Sequence, residues 1–191
     1  MSRAFSDITL TEPVKSAQRL YGSREANQGF EQAADPRNEL TVREAEFIHA
    51  RDSFYMASVG ENGWPYIQHR GGPPGFLKVL DARTIGFADF RGNRQYISAG
   101  NLMGDERVML FLMDYAHRRR LKLWGRARIL HDNEAPDFLS QQLLAQLEDP
   151  EYHAQVERGI LIQVEAWDWN CPQHITPRYT EAEFELLMGR K

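Results

Sequence analysis

The sequence predicts a mainly β protein with helical additions, organised around a mostly antiparallel, closed sheet. Three observations carry that expectation. Between Ser53 and Trp169 about six short apolar segments recur with strand-like period; their connections are short and rich in glycine and proline; helical spacing appears only at two places among them and at the chain ends. A doubly wound α/β sheet would need regular strand–helix alternation and a glycine fingerprint after the first strand, and the sequence has neither.

The first 52 residues read as helical. Thr11 and Pro13 open a segment whose Val14, Ala17, Leu20 and Tyr21 share one face before Gly22 stops it. A second helix starts at "TVRE", where Thr41 and Glu44 have capping-box spacing, and "GSREANQGFEQAADPRNEL" between the two reads as a long polar loop. "SFYMASV" and "WPYIQHR", joined by "GENG", form a hairpin. "GGPPG" at 71–75 breaks the pattern because proline cannot donate to a ladder. "FLKVLD" and "TIGFADF" follow as strands, then a helix starting near Arg94, then "RVMLFLMDY", whose unbroken apolarity predicts burial on both faces. In "RRLKLWGRARILH" alternation sends Leu121, Leu123, Gly125, Ala127 and Ile129 to one side and Arg120, Lys122, Trp124, Arg126 and Arg128 to the other. A helix over Pro136–Leu147, a last strand "GILIQVEAWDWN", a loop "CPQHITPRY" and a terminal helix capped by Thr180 and Glu183 complete the chain.

With 191 residues, 42% of them apolar, the chain suits one sizeable core, so we expect a single domain over 1–191, with N-terminal helices at 1–52 and a tail and helix at 170–191. A formal charge of −4 provides no broad positive field for a polyanion, and nucleic acid is not an expected partner. "VMLFLMDY" is too short to span a bilayer and "MSRAFSDITL" lacks the apolar core of a secretion signal. Together with Cys171 as the lone cysteine, this predicts a cytoplasmic protein with no membrane partner.

Chemistry is expected first at "FADFRGNRQYISAGNL", residues 87–102. With Asn93 as N-cap, the free first-turn amides and the Arg94 guanidinium would converge where a phosphate binds, and Gly92 would let the backbone come close. A plain surface turn accounts for the same residues. Gln68, His69, Arg70 and Lys78 lie one and two strands earlier on the same sheet. Six histidines are scattered without the spacing of a zinc site, so no metal is expected; His117 and His131 fall at strand ends, where a solvated imidazole is ordinary. Arg118 and Arg120 belong to "RRR", which strand alternation splits between faces. No serine sits in a nucleophile elbow and no catalytic residue stands out.

The order "PY", a short basic strand, "GF", a turn with a polar residue and arginine, a helix, an apolar strand and "RRLKLWGRARI" resembles the pyridoxamine 5′-phosphate oxidase-like family of FMN-binding split β-barrels. The resemblance runs from about Ser53 to His131 and more weakly through Trp169. It implies a homodimer with FMN at the subunit interface. Arg94 would hold the phosphate, with Gln95 where the family often has lysine; Gln68 to Arg70 would line the ring system and ribityl chain; Lys78 would be a second phosphate-side lysine. Arg120 falls where the family has a flavin-contacting glutamine, and a cation there would stabilise the charge of a reduced flavin. True oxidases carry a C-terminal arginine–histidine pair in a glycine-containing context that is missing here, which disfavours vitamin oxidation. In its place stand Trp167, Trp169, Gln173, His174 and Arg178, expected to reach across the dimer and cover the flavin, although aromatic residues on a last strand also serve plain packing. The implied function is an FMN-dependent oxidoreductase taking electrons from a reduced nicotinamide or small substrate to an unidentified acceptor. The alternative is a non-catalytic flavin- or haem-binding sensor or storage module.

Overall fold

The computed structural model describes residues 2–32, 35–131 and 138–189, except the side chains of 131, 138 and 139. Seven antiparallel strands form one sheet: β1 (Ser53–Val59), β2 (Pro65–Gly71), β3 (Lys78–Val79), β4 (Thr84–Phe90), β5 (Arg107–Asp114), β6 (Arg119–His131) and β7 (Val156–Trp169), in the order β2-β1-β5-β6-β7-β4-β3. One face of this sheet is the core. Register carries it from strand to strand: Met56 opposes Leu110, Leu110 opposes Leu123, Ile129 opposes Ile160, and Ile160 opposes Phe87.

The sheet is not closed, which corrects the sequence expectation. β2 and β3 are its two edges. Pro73 and Pro74, which lack amide donors, fall between these edges, and β3 is only two residues long, so no ladder forms there. Side chains bridge the seam instead. Arg70 of β2 donates to Asp89 of β4 at 2.6 Å, and the Phe54 and Phe87 rings meet edge to face at 5.2 Å.

β5 is a second correction. Val108, Leu110, Leu112 and Asp114 are buried while the intervening residues are partly exposed, so its outer face is open although its side chains are apolar. In β6 the alternation holds, with a bulge after Trp124; a Cβ on Gly125 would stand 2.4 Å from the Gln163 carbonyl oxygen, a separation only glycine permits.

Helices flank the sheet. The expected polar loop contains α3 (Arg24–Glu31), whose Arg24–Glu31 ion pair spans its two ends; it follows α1 (Ala4–Thr9) and α2 (Glu12–Leu20). Leu20 and Tyr21, expected on a shared apolar face with Val14, are 77% and 82% exposed. α4 (Val42–His49) has the predicted capping box, and buried Glu44 also accepts from Trp169 Nε1 at 2.7 Å. α5 (Ile97–Gly104) begins later than expected; α6 (Phe138–Leu147) presses Leu147 onto Gly86 and Gly159, and the proposed start at Pro136 lies outside the described residues. α7 (Glu181–Leu187) is capped by Thr180 as predicted. No described helix is long and apolar enough to cross a membrane.

Candidate functional site

The seam between β2 and β4 opens into a cleft of about 140 Å³ at the start of α5. Strand alternation decides what β2 contributes. Tyr66, Gln68 and Arg70 pair with Ser58, Met56 and Phe54 on the inner face and line the cleft, whereas Ile67 and His69 point outward, His69 against the Tyr55 ring. His69 is therefore not brought to the cleft. Lys78 pairs with Gly86, on the side away from Ile85 and Phe87, and does not line the cleft either.

The turn before α5 corrects the expected cap. Tyr96, not Asn93, is the N-cap, and it makes no side-chain cap hydrogen bond. Asn93 instead accepts from the Gln95 amide at 3.1 Å and closes an Asx-type turn. Arg94 and Tyr96 both have left-handed backbones, φ 60° and 54°, a conformation that costs a non-glycine residue about 1–2 kcal/mol. Such strain is held where surrounding structure imposes it, most often at sites. Its effect here is to aim Asn93, Arg94 and Gln95 into the cleft while leaving the first amides of α5 without a side-chain cap. Arg94 Nε donates to Tyr96 Oη at 3.3 Å, Tyr96 Oη donates to Glu157 at 3.2 Å, and the rest of the guanidinium is exposed.

Asp89 anchors the floor. It is 8% exposed and lies between Arg70 at 2.6 Å and Arg158 at 3.5 Å. Burial pushes its carboxyl above the ordinary carboxylate value, and the two arginines offset only part of that rise. Among the described residues Arg70 Nε is buried without an acceptor, and Arg158 Nε, 3.5 Å from Asp89, makes no hydrogen bond. Sequence reasoning missed Asp89, Tyr66, Tyr96, Glu157 and Arg158. A lone acid inside "TIGFADF" was the available signal for Asp89.

A second group of expected residues meets elsewhere. Arg120, His174 and Arg178 line a cleft of about 260 Å³ with Phe111, Met113 and Tyr115 on the outer face of β5 and β6. None of its lining residues is acidic. Arg120 Nε is buried without an acceptor among the described residues, Arg178 lies 5.1 Å over the Tyr115 ring, and His174 has φ 61°. Arg118 is exposed in the β5–β6 turn, and Gln173 is exposed in the tail. Trp169 is occupied by packing: it donates to Glu44 and meets Phe47 edge to face at 4.7 Å. Trp167 likewise donates to the Glu39 carbonyl at 2.8 Å.

An antiparallel sheet curled on itself, open along one seam and carrying a polar cleft at that seam, defines a split β-barrel. The chain belongs to the pyridoxamine 5′-phosphate oxidase family, whose model matches residues 40–168. No curated protein matches the sequence. Among solved structures, a candidate pyridoxamine 5′-phosphate oxidase from Lactobacillus delbrueckii is 19% identical over 69% of this chain and 94% of that one, with a TM-score of 0.50, a likeness in fold. HupZ of Group A Streptococcus is 16% identical over 73% of this chain and 99% of that one, TM-score 0.49. An FMN-binding protein of Syntrophomonas wolfei is 12% identical over 80% and 97%, TM-score 0.48.

Proposed function

We propose that this chain is an FMN-dependent oxidoreductase, acting as a homodimer, that takes electrons from a reduced nicotinamide or small substrate. The observation that carries the reading is the seam cleft: an exposed Arg94, the uncapped first turn of α5 and the acceptor-less Nε of Arg70 give a donor set suited to a phosphate and polyol. Bound there, the flavin itself would supply the redox chemistry. Arg94 and the α5 amides would hold its phosphate, and Gln68, which accepts from Tyr66 Oη at 2.5 Å, would offer its amide N–H to the chain or ring.

Size supports a partner. At about 140 Å³ the cleft takes the head of the cofactor only, since sites for ligands of this size run to roughly 300–1,000 Å³. The outer sheet face carries the cations Arg120 and Arg178 with the His174 imidazole, beside exposed Ile67 and Tyr55 and the partly exposed Phe111. A second copy docking through this apolar face would bring uncompensated positive charge to the flavin.

The test is the visible spectrum of the purified protein reconstituted with FMN, followed by anaerobic addition of NADH and NADPH. Bound flavin that bleaches at a catalytic rate supports the enzyme. A yellow protein that neither nicotinamide nor small donors reduce is a binder without turnover, and a protein that ignores FMN and sediments as a monomer ends the reading.

A further inference from the structure

A larger recess adjoins the seam cleft and has no role in the reading above. It measures about 640 Å³, lies between the β1–β2 turn and α5, and shares Tyr66 and Ile97 with the cleft, so the two spaces have a common partition. A nucleoside fits a space of that size. Trp64 stands on its wall with 75% of its surface in water, and an indole so exposed has a face to offer a planar ring. Its backbone is fixed, because the Trp64 amide donates to Asn62 Oδ1 at 3.1 Å and its carbonyl accepts from the Gly60 amide at 3.0 Å.

The polar groups around the indole are acceptors. Asn101 Nδ2 donates to the buried Ser58 Oγ at 3.0 Å, and Asn101 Oδ1 is left as an unspent acceptor. Glu61 is exposed, and its carboxylate has no partner among the described residues. No lysine or arginine lines the recess. Arg70 and Arg94 line the cleft across the partition, Arg70 bound to Asp89 and Arg94 committed, in the reading above, to the flavin phosphate. A carboxylate accepts from the 2′- and 3′-hydroxyls of a ribose and repels a phosphate at the 2′ position, which calls for an arginine instead.

We infer that this recess is the adenosine site of the electron donor, and that Glu61 makes that donor NADH in preference to NADPH. The inference rests on the flavin reading of the seam cleft and keeps FMN as the cofactor. The adenine stacks on Trp64 and gives an amine N–H to Asn101 Oδ1, while the ribose hydroxyls donate to Glu61. The rest of the dinucleotide crosses Tyr66 and Ile97 toward the flavin. There one hydride leaves NADH, which becomes NAD⁺, and the FMN is reduced by two electrons. NADPH would set its 2′-phosphate against the Glu61 carboxylate, with no cation of the recess to receive it.

The full-length protein reconstituted with FMN tests this in two ways. Anaerobic reduction at increasing NADH or NADPH gives an apparent Kd for each donor, and calorimetric titration with NAD⁺ and NADP⁺ makes the same comparison without turnover. We expect both to favour the nucleotide lacking the 2′-phosphate by about five- to tenfold, the size of one exposed charge contact and one hydrogen bond. Glu61→Gln should shrink that preference to about twofold, and Glu61→Arg should reverse it. Trp64→Ala should weaken both nucleotides about tenfold, as loss of one stacked base does, and leave FMN affinity unchanged. Both side chains are exposed, so the variants fold, as circular dichroism will check. Equal affinities, a preference for NADPH, or a preference that Glu61→Gln leaves intact overturns the inference. So does an FMN-loaded protein that binds neither nucleotide, in which case the flavin reading survives with another small donor. Failure to bind FMN removes the flavin reading itself and this inference with it.

Discussion

Two buried aspartates each face two arginines, and they are held in opposite ways. Asp114, 1% exposed at the end of β5, accepts from the His117 amide at 3.0 Å and from Arg119 Nη2 at 2.9 Å, meets the His117 ring at 3.0 Å, and has Arg51 at 3.7 Å. Burial alone would raise its carboxyl, but these hydrogen bonds and charges outweigh it and hold Asp114 below the ordinary value. Asp89 has one hydrogen-bonded arginine and a second at 3.5 Å, and burial wins. The difference separates a pin from a site. Around Asp114 the carboxylate is saturated with donors and fixes the β5–β6 turn; around Asp89 donors remain unspent, and that is where a ligand gains most by binding.

The largest effect should come from breaking the pin. Asp114→Asn leaves Arg51 and Arg119 without their shared anion and is expected to cost about 2–4 kcal/mol at pH 7, read from urea unfolding. Because the folded carboxyl lies below its unfolded value, the stabilisation is present above the ordinary carboxylate pKa of about 4 and lost as pH falls through the lowered folded value. The penalty of the substitution should therefore shrink toward pH 3. A penalty that is flat with pH would show that Asp114 acts by shape alone. Next in size is Arg94→Ala, which removes a charge-assisted contact from the other region and should weaken FMN roughly ten- to a hundredfold without changing the urea midpoint. Unchanged FMN affinity would take the phosphate away from this turn.

What could be read in the sequence divides along the same line. Hairpin β1–β2, the alternation of β6 and the capping boxes at Thr41 and Thr180 were legible because their determinants lie within a few residues. Arg94 and Gln68 could be singled out because one sits in the turn after β4 and the other on a basic strand segment, and both line the seam cleft. Asp89 was not, since its meaning depends on Arg70 across the seam and Arg158 on a strand that only the fold brings near. The start of α5 was misplaced for a similar reason: a left-handed Tyr96 caps it, and no local residue pattern marks a tyrosine for that conformation. Trp169 resembled a flavin cover until its indole N–H met Glu44, 125 positions away in sequence. Closure failed as an expectation because strand periodicity counts strands and says nothing of whether the edges meet.

Asp89→Asn sharpens the contrast with Asp114. Its folded carboxyl is raised, so between the ordinary value and the raised one the folded state keeps a proton that the unfolded chain has released, and stability falls as pH climbs through that window. The asparagine variant lacks this loss. Its stability should stay within about 1 kcal/mol of the parent at pH 7, less than the Asp114→Asn penalty, and compare least favourably with the parent at low pH. A cost as large as that of Asp114→Asn at neutral pH would erase the distinction between pin and site.

The smallest effect on stability is expected at Arg120, and it carries the comparison to the outer face. No described residue forms an ion pair with Arg120, and its buried Nε lacks an acceptor, so within one chain that N–H is desolvated without return. Arg120→Gln should therefore leave the monomer's unfolding free energy within about 0.5 kcal/mol of the parent, or raise it. Its consequence should fall on assembly with ligand. If a second copy presents Arg120 to the flavin, the substitution lowers the midpoint potential of the bound cofactor, because a cation beside the ring favours its reduced, anionic form. Spectroelectrochemistry of the reconstituted protein reads that shift directly. A potential that does not move, with FMN still bound, would confine the site to the seam cleft and leave the charge on β6 to some other partner.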